Sequence, residues 1–180
     1  PLAAGESTVD LAVTFTASNA GVVGPQTLRV ANNFDNVADT TLDIVSSAAY
    51  RLAAPSAHTP EPVNFGNRHV GDVVSQALTL GNTAVADGFS EALNASIGGA
   101  TGAATTNGGS FSLLAAGTNN NSALSVGLDT ATAGAKSGTA TITLTSDGTG
   151  TSGLGQTALS SQTVNVSGSV FRFADAAPVN

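Results

Sequence analysis

The chain is 180 residues long and 41% apolar, with one tyrosine and no tryptophan, methionine or cysteine; it can bury one or two modest cores of Val, Leu, Ala and Phe, and can form neither a disulfide nor a thiolate metal site. Its net charge is -7 and its cations are Lys136, Arg29, Arg51, Arg68 and Arg172, too few and too scattered to neutralise a nucleic-acid backbone or to hold an anionic membrane surface. Charged residues make up 9% against roughly 25% in an ordinary domain, and the Ser, Thr, Asn, Gly and Ala that replace them are typical of exported bacterial proteins.

No run is long and apolar enough to be a membrane-spanning helix, and Pro1-Leu2-Ala3-Ala4-Gly5 lacks the basic end and apolar centre of a signal peptide. With no methionine anywhere, Pro1 is not a translation start. The chain is expected to be a processed product or an excerpt of something longer.

Period-two alternation predicts strands along the whole length. In chain order the inward-facing sets are Leu11, Val13 and Phe15; Leu28 and Val30; Val63 and Phe65; Leu78 and Leu80; Leu93, Ala95 and Ile97; Leu124, Val126 and Leu128; Ile142 and Leu144; Val164 and Val166. Val70-Gly71-Asp72, Gly98-Gly99, Asn107-Gly108-Gly109 and Asp147-Gly148 mark turns between them. The stretch from Ser90 to Ala95 also fits an amphipathic helix, but its alternation continues to Ile97 and favours a strand. Three prolines in Ala53-Ala54-Pro55-Ser56-Ala57-His58-Thr59-Pro60-Glu61-Pro62 predict either a semi-rigid linker or a proline-bearing first edge strand.

An internal repeat runs through these elements. Leu2-Ala3-Ala4-Gly5 returns as Leu114-Ala115-Ala116-Gly117, Leu11-x-Val13-x-Phe15 as Leu124-x-Val126-x-Leu128, and Ala20-Gly21 as Ala133-Gly134. Leu28-x-Val30 returns as Ile142-x-Leu144, and Tyr50-Arg51-Leu52 as Phe171-Arg172-Phe173. The period is about 110 to 125 residues, the size of one sandwich domain, with a Ser/Gly/Thr-rich insertion around Ser146 to Ser161. The expected organisation is therefore all-β: immunoglobulin-like antiparallel β-sandwich repeats, with residues 1–54 the C-terminal half of one repeat and residues 55–180 a complete one. The expected core of the complete repeat is Phe65, Leu78, Leu80, Ile97, Phe111, Leu124, Val126, Ile142, Leu144, Val164 and Val166.

Val63-Asn64-Phe65-Gly66, then Val70-Gly71-Asp72, then Leu78-Thr79-Leu80-Gly81-Asn82-Thr83 resembles the start of the bacterial choice-of-anchor D repeats and the related Hydin-like immunoglobulin-type domains. Ser137 to Asp147 and Gln162 to Gly168 look like the late strands of that family. Gly66 and Gly71 are expected in tight turns and Asn82 at the start of the next one. The resemblance implies export and repeated display on surface or secreted proteins, and the family has no catalytic residues to carry over.

The residues that could carry chemistry have plainer readings. His58 and His69 are the only histidines and, lacking a third convergent ligand, are expected on the surface near the prolines and first turn. Asn32-Asn33-Phe34-Asp35-Asn36-Val37-Ala38-Asp39 with Asp43 could offer oxygen ligands to calcium, but it lacks the spacing and closing glutamate of an EF-hand and reads as an Asx-rich loop. No Gly-x-Ser-x-Gly elbow is present, and the carboxylates are expected to be scattered through turns. Asn94-Ala95-Ser96, Asn120-Asn121-Ser122 and Asn165-Val166-Ser167 fit the glycosylation triplet, though strand positions such as Asn94 and Asn165 are poor acceptors. No catalytic, cofactor-binding or metal-binding residue is assigned, and no cofactor is implied.

The expected function is that of an extracellular or cell-surface structural or adhesive repeat protein, in concrete form a filament or surface-layer subunit assembling through strand complementation. Its expected partners are copies of itself or neighbouring repeats of the same chain, with a surface or polysaccharide ligand as an addition. The alternative is a non-catalytic ligand- or carbohydrate-binding accessory module of a larger secreted protein, for which one tyrosine and no tryptophan offer little stacking surface.

Overall fold

The computed structural model describes residues 12–14, 16–31, 36–45 and 48–176. The chain forms two units, Pro1–Ala49 and Tyr50–Asn180. Every described element is a β-strand.

In the first unit β1 (Gly21–Val22) pairs with β4 (Ala48–Ala49), and β2 (Gln26–Val30) pairs antiparallel with β3 (Thr40–Ile44), Leu28 opposite Leu42. None of its described residues is buried: Leu28 is half-covered, Val13, Val30 and Leu42 are exposed, and Leu11 and Phe15 lie outside the described residues. Alternation alone thus places apolar side chains on one strand face here without enclosing them. A two-stranded ribbon has too little apolar area to exclude water by itself.

The second unit is an immunoglobulin-like β-sandwich. Its strands are β5 (Val63–His69), β6 (Ser75–Asn82), β7 (Ala92–Gly102), β8 (Ala104–Thr106), β9 (Ser110–Leu114), β10 (Thr118–Leu128), β11 (Gly134–Asp147) and β12 (Gln156–Phe171). One sheet runs β6-β10-β8 and the other β5-β12-β11-β7-β9. Pairing is antiparallel except between β5 and β12, which run parallel with Val63 opposite Val166, a departure from the expected all-antiparallel arrangement.

Between the sheets lie Leu78, Leu80, Ala104, Leu124, Val126 and Leu128 on one side and Val63, Phe65, Leu93, Ala95, Ile97, Ala140, Ile142, Leu144, Val164, Val166 and Val170 on the other. Of the expected core, Phe111 is the exception. It is only half-buried, because it sits on the edge strand β9 and packs against the core from one side. Close packing shows at Gly168, where a Cβ would stand 2.6 Å from Leu128 Cδ2 and 3.2 Å from the Gly66 carbonyl oxygen. Gly66 lies within β5 rather than in a turn, at φ 65°, where the ladder with β12 slips register. The helical reading of Ser90 to Ala95 gives way to β7, and Ser146 to Ser161 forms the far end of the β11–β12 hairpin, with Asp147 paired to Gln156.

The proline-rich segment is part of the sandwich. Thr59 pairs with Thr79 and Pro55 with Asn82 on the outer side of β6, and the chain then crosses through the cis peptides Thr59-Pro60 and Glu61-Pro62 to begin β5 in the other sheet. Of its two expected forms it takes that of an edge strand. The unit boundary falls at Ala49/Tyr50 rather than after Ala54, because residues 51–56 bond to the second unit.

Candidate functional site

The segment that leads into the sandwich is held by side chains converging from several strands. Tyr50 packs its ring on Phe89 with centroids 5.8 Å apart. The Arg51 N–H donates to the Phe89 carbonyl at 2.9 Å and the Glu91 N–H donates to the Arg51 carbonyl at 3.0 Å, a parallel bridge with Ser90 at its centre. Arg51 Nη1 donates to both Asp87 oxygens at 2.8 Å and to Ser90 Oγ at 2.9 Å. That guanidinium, seconded by the Phe89 N–H, holds the Asp87 carboxyl below its ordinary range. The pair is part-exposed, so its contribution lies in direction more than in stability.

Deeper in, the Ala53 N–H donates to Ser146 Oγ at 2.8 Å, and Ser146 Oγ donates to Glu91 Oε2 at 2.7 Å. Ser152 Oγ, from the hairpin loop, donates to the other Glu91 oxygen. Glu91 is 3% exposed and Ser146 fully enclosed, so the hydroxyl spends its proton on the carboxylate and a lone pair on the backbone. This serine fastens the lead-in strand and is shut away from any substrate. Beside it Asp147 accepts from Thr149, from Asn94 Nδ2 at 2.8 Å and from Gln156 Nε2 at 2.8 Å, and these donors hold its carboxyl well below the usual carboxylate range despite burial.

Asn82, 1% exposed, joins four segments. Its Oδ1 accepts from the Ala54 N–H at 3.1 Å and the Ala84 N–H at 3.3 Å, and its Nδ2 donates to the Glu91 carbonyl at 3.0 Å and the Leu114 carbonyl at 3.2 Å. It is the last residue of β6 and opens the turn that follows, as expected, but from a buried position.

His58 is likewise not surface decoration: it is 6% exposed. Its N–H donates to Gln162 Oε1 at 2.9 Å while Gln162 Nε2 donates to the Ser56 carbonyl at 2.7 Å, which fixes the amide's orientation. The ring then meets an acceptor at each nitrogen, Gln162 Oε1 at Nδ1 and Glu61 Oε2 at Nε2, both at 2.8 Å. Both bonds form together when both nitrogens carry protons. Partial desolvation raises the Glu61 carboxyl, but the Asn165 side chain, His58 and the Asn165 N–H together bring it below its ordinary range. His69 lies elsewhere, stacked on Phe173 at 4.3 Å.

The remaining sequence candidates are dispersed. Asp39 pairs with Arg29 and Asp43 accepts from Thr27 Oγ1 at 2.9 Å across the β2–β3 ribbon, while 32–35 lie outside the described residues. Each glycosylation-triplet asparagine is bonded: Asn94 to Asp147 and the Leu113 N–H, Asn120 to the Ser122 and Ala123 N–H groups, Asn165 to Glu61. An open apolar groove of about 410 Å³ runs between residues 86–92, β9 and the hairpin loop, lined in part by Ala86, Ala92, Leu113, Ala115 and Ala116. Leu113 there has φ 55° and is 55% exposed, an uncommon backbone state for a branched side chain.

Glu91 and Ser146 went unmarked by motif and Asn82 was marked only as the start of a turn, yet one signal points to all three. Each extends an inward alternation by one step: Leu78, Leu80, Asn82; Ile97, Ala95, Leu93, Glu91; Ile142, Leu144, Ser146.

No protein-family model matches the chain, and no curated protein matches it. Among solved structures, the ASH / PapD-like domain of human CEP192 (PapD-like domain 7) is similar with a TM-score of 0.43 and 9% identity, over 68% of this chain and 89% of that chain.

Proposed function

We propose that the chain is a non-catalytic structural module of a secreted or cell-surface protein, built from repeats of the choice-of-anchor D / Hydin-like kind, that spaces, adheres or assembles. The observation that carries this reading is the lead-in segment. Residues 50–62 are bonded through Asn82, Ser146, Glu91 and Gln162 into both sheets, so this proline-rich stretch is an anchored part of the sandwich itself. Such anchoring suits a repeat that transmits position or load along a chain. The low charge and cysteine-free composition suits an exported setting. The test is surface proteolysis of intact source cells and their medium, followed by peptide mass analysis of the full polypeptide. Peptides from 50–176 released from the surface or found in the medium support the proposal; their confinement to the cytosol overturns it.

The apolar groove beside Leu113 favours a second reading, a ligand-binding accessory module. Saturable binding of a small apolar or glycan probe, lost in Leu113→Asp, would support that reading over a purely structural one.

A further inference from the structure

Gly21 lies at φ 144° and pairs with Ala49; Gly134 lies at φ 135° and pairs with Val170. The pairings continue in step, Val22 with Ala48 and Ala135 with Ser169. A shared backbone state that favours glycine, together with a shared register, makes these the same place in two repeats. The residues that follow are therefore equivalent: Tyr50-Arg51-Leu52 after Ala49 and Phe171-Arg172-Phe173 after Val170.

What the first of these triplets does is visible. Tyr50 lies on the Phe89 ring, Arg51 clasps Asp87 and bridges Ser90, and Leu52 stays 46% exposed. The docked pair is thus the aromatic ring and the guanidinium, while the third side chain faces outward. In the second triplet Phe171 is 51% exposed and Arg172 is exposed, while Phe173 stacks on His69. The ring and guanidinium that dock in one copy are displayed in the other.

We infer that Phe171-Arg172 is a docking element for another repeat of this kind, which receives it on a site like that of Asp87, Phe89 and Ser90. The inference rests on the structural-module reading and names the surface it uses. The partner's chemistry is set by the observed pair: a carboxylate for the guanidinium, an aromatic ring two residues later, and a backbone free for a parallel bridge. The like site in this chain is filled by its own Tyr50 and Arg51, so it discriminates between a filled and an open receiver.

The test opens that receiver in the full chain with Tyr50→Ala and Arg51→Ala, or with Arg51→Ala alone should the double variant fold poorly. The probe is a synthetic peptide of residues 168–176, followed by amide chemical shifts of residues 87–91. The expected result is saturable binding to the opened chain, at least about tenfold weaker to the wild type, and lost with Arg172→Glu in the peptide. Binding by the Arg172→Glu peptide should return on an opened chain that also carries Asp87→Lys. Absence of saturable binding, or binding indifferent to Arg172→Glu, overturns the inference. If a peptide of residues 48–55 binds the opened chain while 168–176 does not, the equivalence of the two triplets fails, and the structural-module reading, tested by localisation, stands apart from it.

Discussion

Asn82→Ala should be among the most damaging single substitutions outside the aliphatic core. The side chain is 1% exposed and makes four hydrogen bonds, two as acceptor and two as donor. Two of the partner residues, Ala84 and Glu91, are themselves buried, so water cannot replace the amide without opening the strand end. Leaving a buried polar group unpaired costs about 1–3 kcal/mol, and a satisfied bond contributes about 1 kcal/mol net. Counting the two buried partners in full and the two more accessible ones weakly gives a loss of about 3–5 kcal/mol, a large part of a small domain's stability. The assay is equilibrium urea unfolding with unchanged m-value, paired with limited proteolysis of 53–59, whose Ala54 N–H the amide holds. Asn82→Asp should do nearly as much harm, because it turns the Nδ2 donor into an acceptor facing two carbonyls. A loss below about 1 kcal/mol for Asn82→Ala, with the proteolysis rate unchanged, would refute the reasoning, since it would mean that the hub's bonds are replaceable.

Leu80→Ala and Ile142→Ala, both fully enclosed between the sheets, should each cost about 2–5 kcal/mol by urea unfolding, whereas Phe111→Ala on the edge should cost distinctly less. Glu61 has a lowered carboxyl in the fold, so its stabilisation is present above the ordinary carboxylate range, near 4.5, and is lost as pH falls through the lowered value. Urea midpoints measured from pH 7 to pH 3 should therefore show wild type and Glu61→Gln converging at the acid end, by a modest amount because the carboxylate is partly solvated. EDTA should leave the thermal midpoint unchanged, as Asp39 and Asp43 are engaged with Arg29 and Thr27. A fall with EDTA that calcium reverses would assign the Asn32 to Asp43 stretch a metal.

The sandwich was legible because burial in a sheet has a period of two. Leu78 and Leu80, Ile142 and Leu144, Val164 and Val166 announce both their strands and their inward faces. The polar framework was legible in parity but not in partners. Asn82, Glu91 and Ser146 continue those inward faces, yet Ser146 bonds to Ala53 across 93 residues of chain, a closeness that no local pattern encodes. His58 was misplaced for the same reason. Proline-rich surroundings suggested exposure, whereas Gln162, Glu61 and the Thr59–Thr79 bridge cover it.

By itself the sequence determined the all-β class and the inward-facing aliphatic side chains of the sandwich, because alternation and glycine placement are local properties of a chain. Tertiary structure alone decided that β5 runs parallel to β12, that residues 50–62 belong to the second unit, and that Arg51 finds Asp87 while Phe171 remains exposed. Those outcomes depend on which strands lie side by side once the two sheets close over a common core, and pairing of that kind is set by the summed burial of the whole sandwich instead of by any one segment.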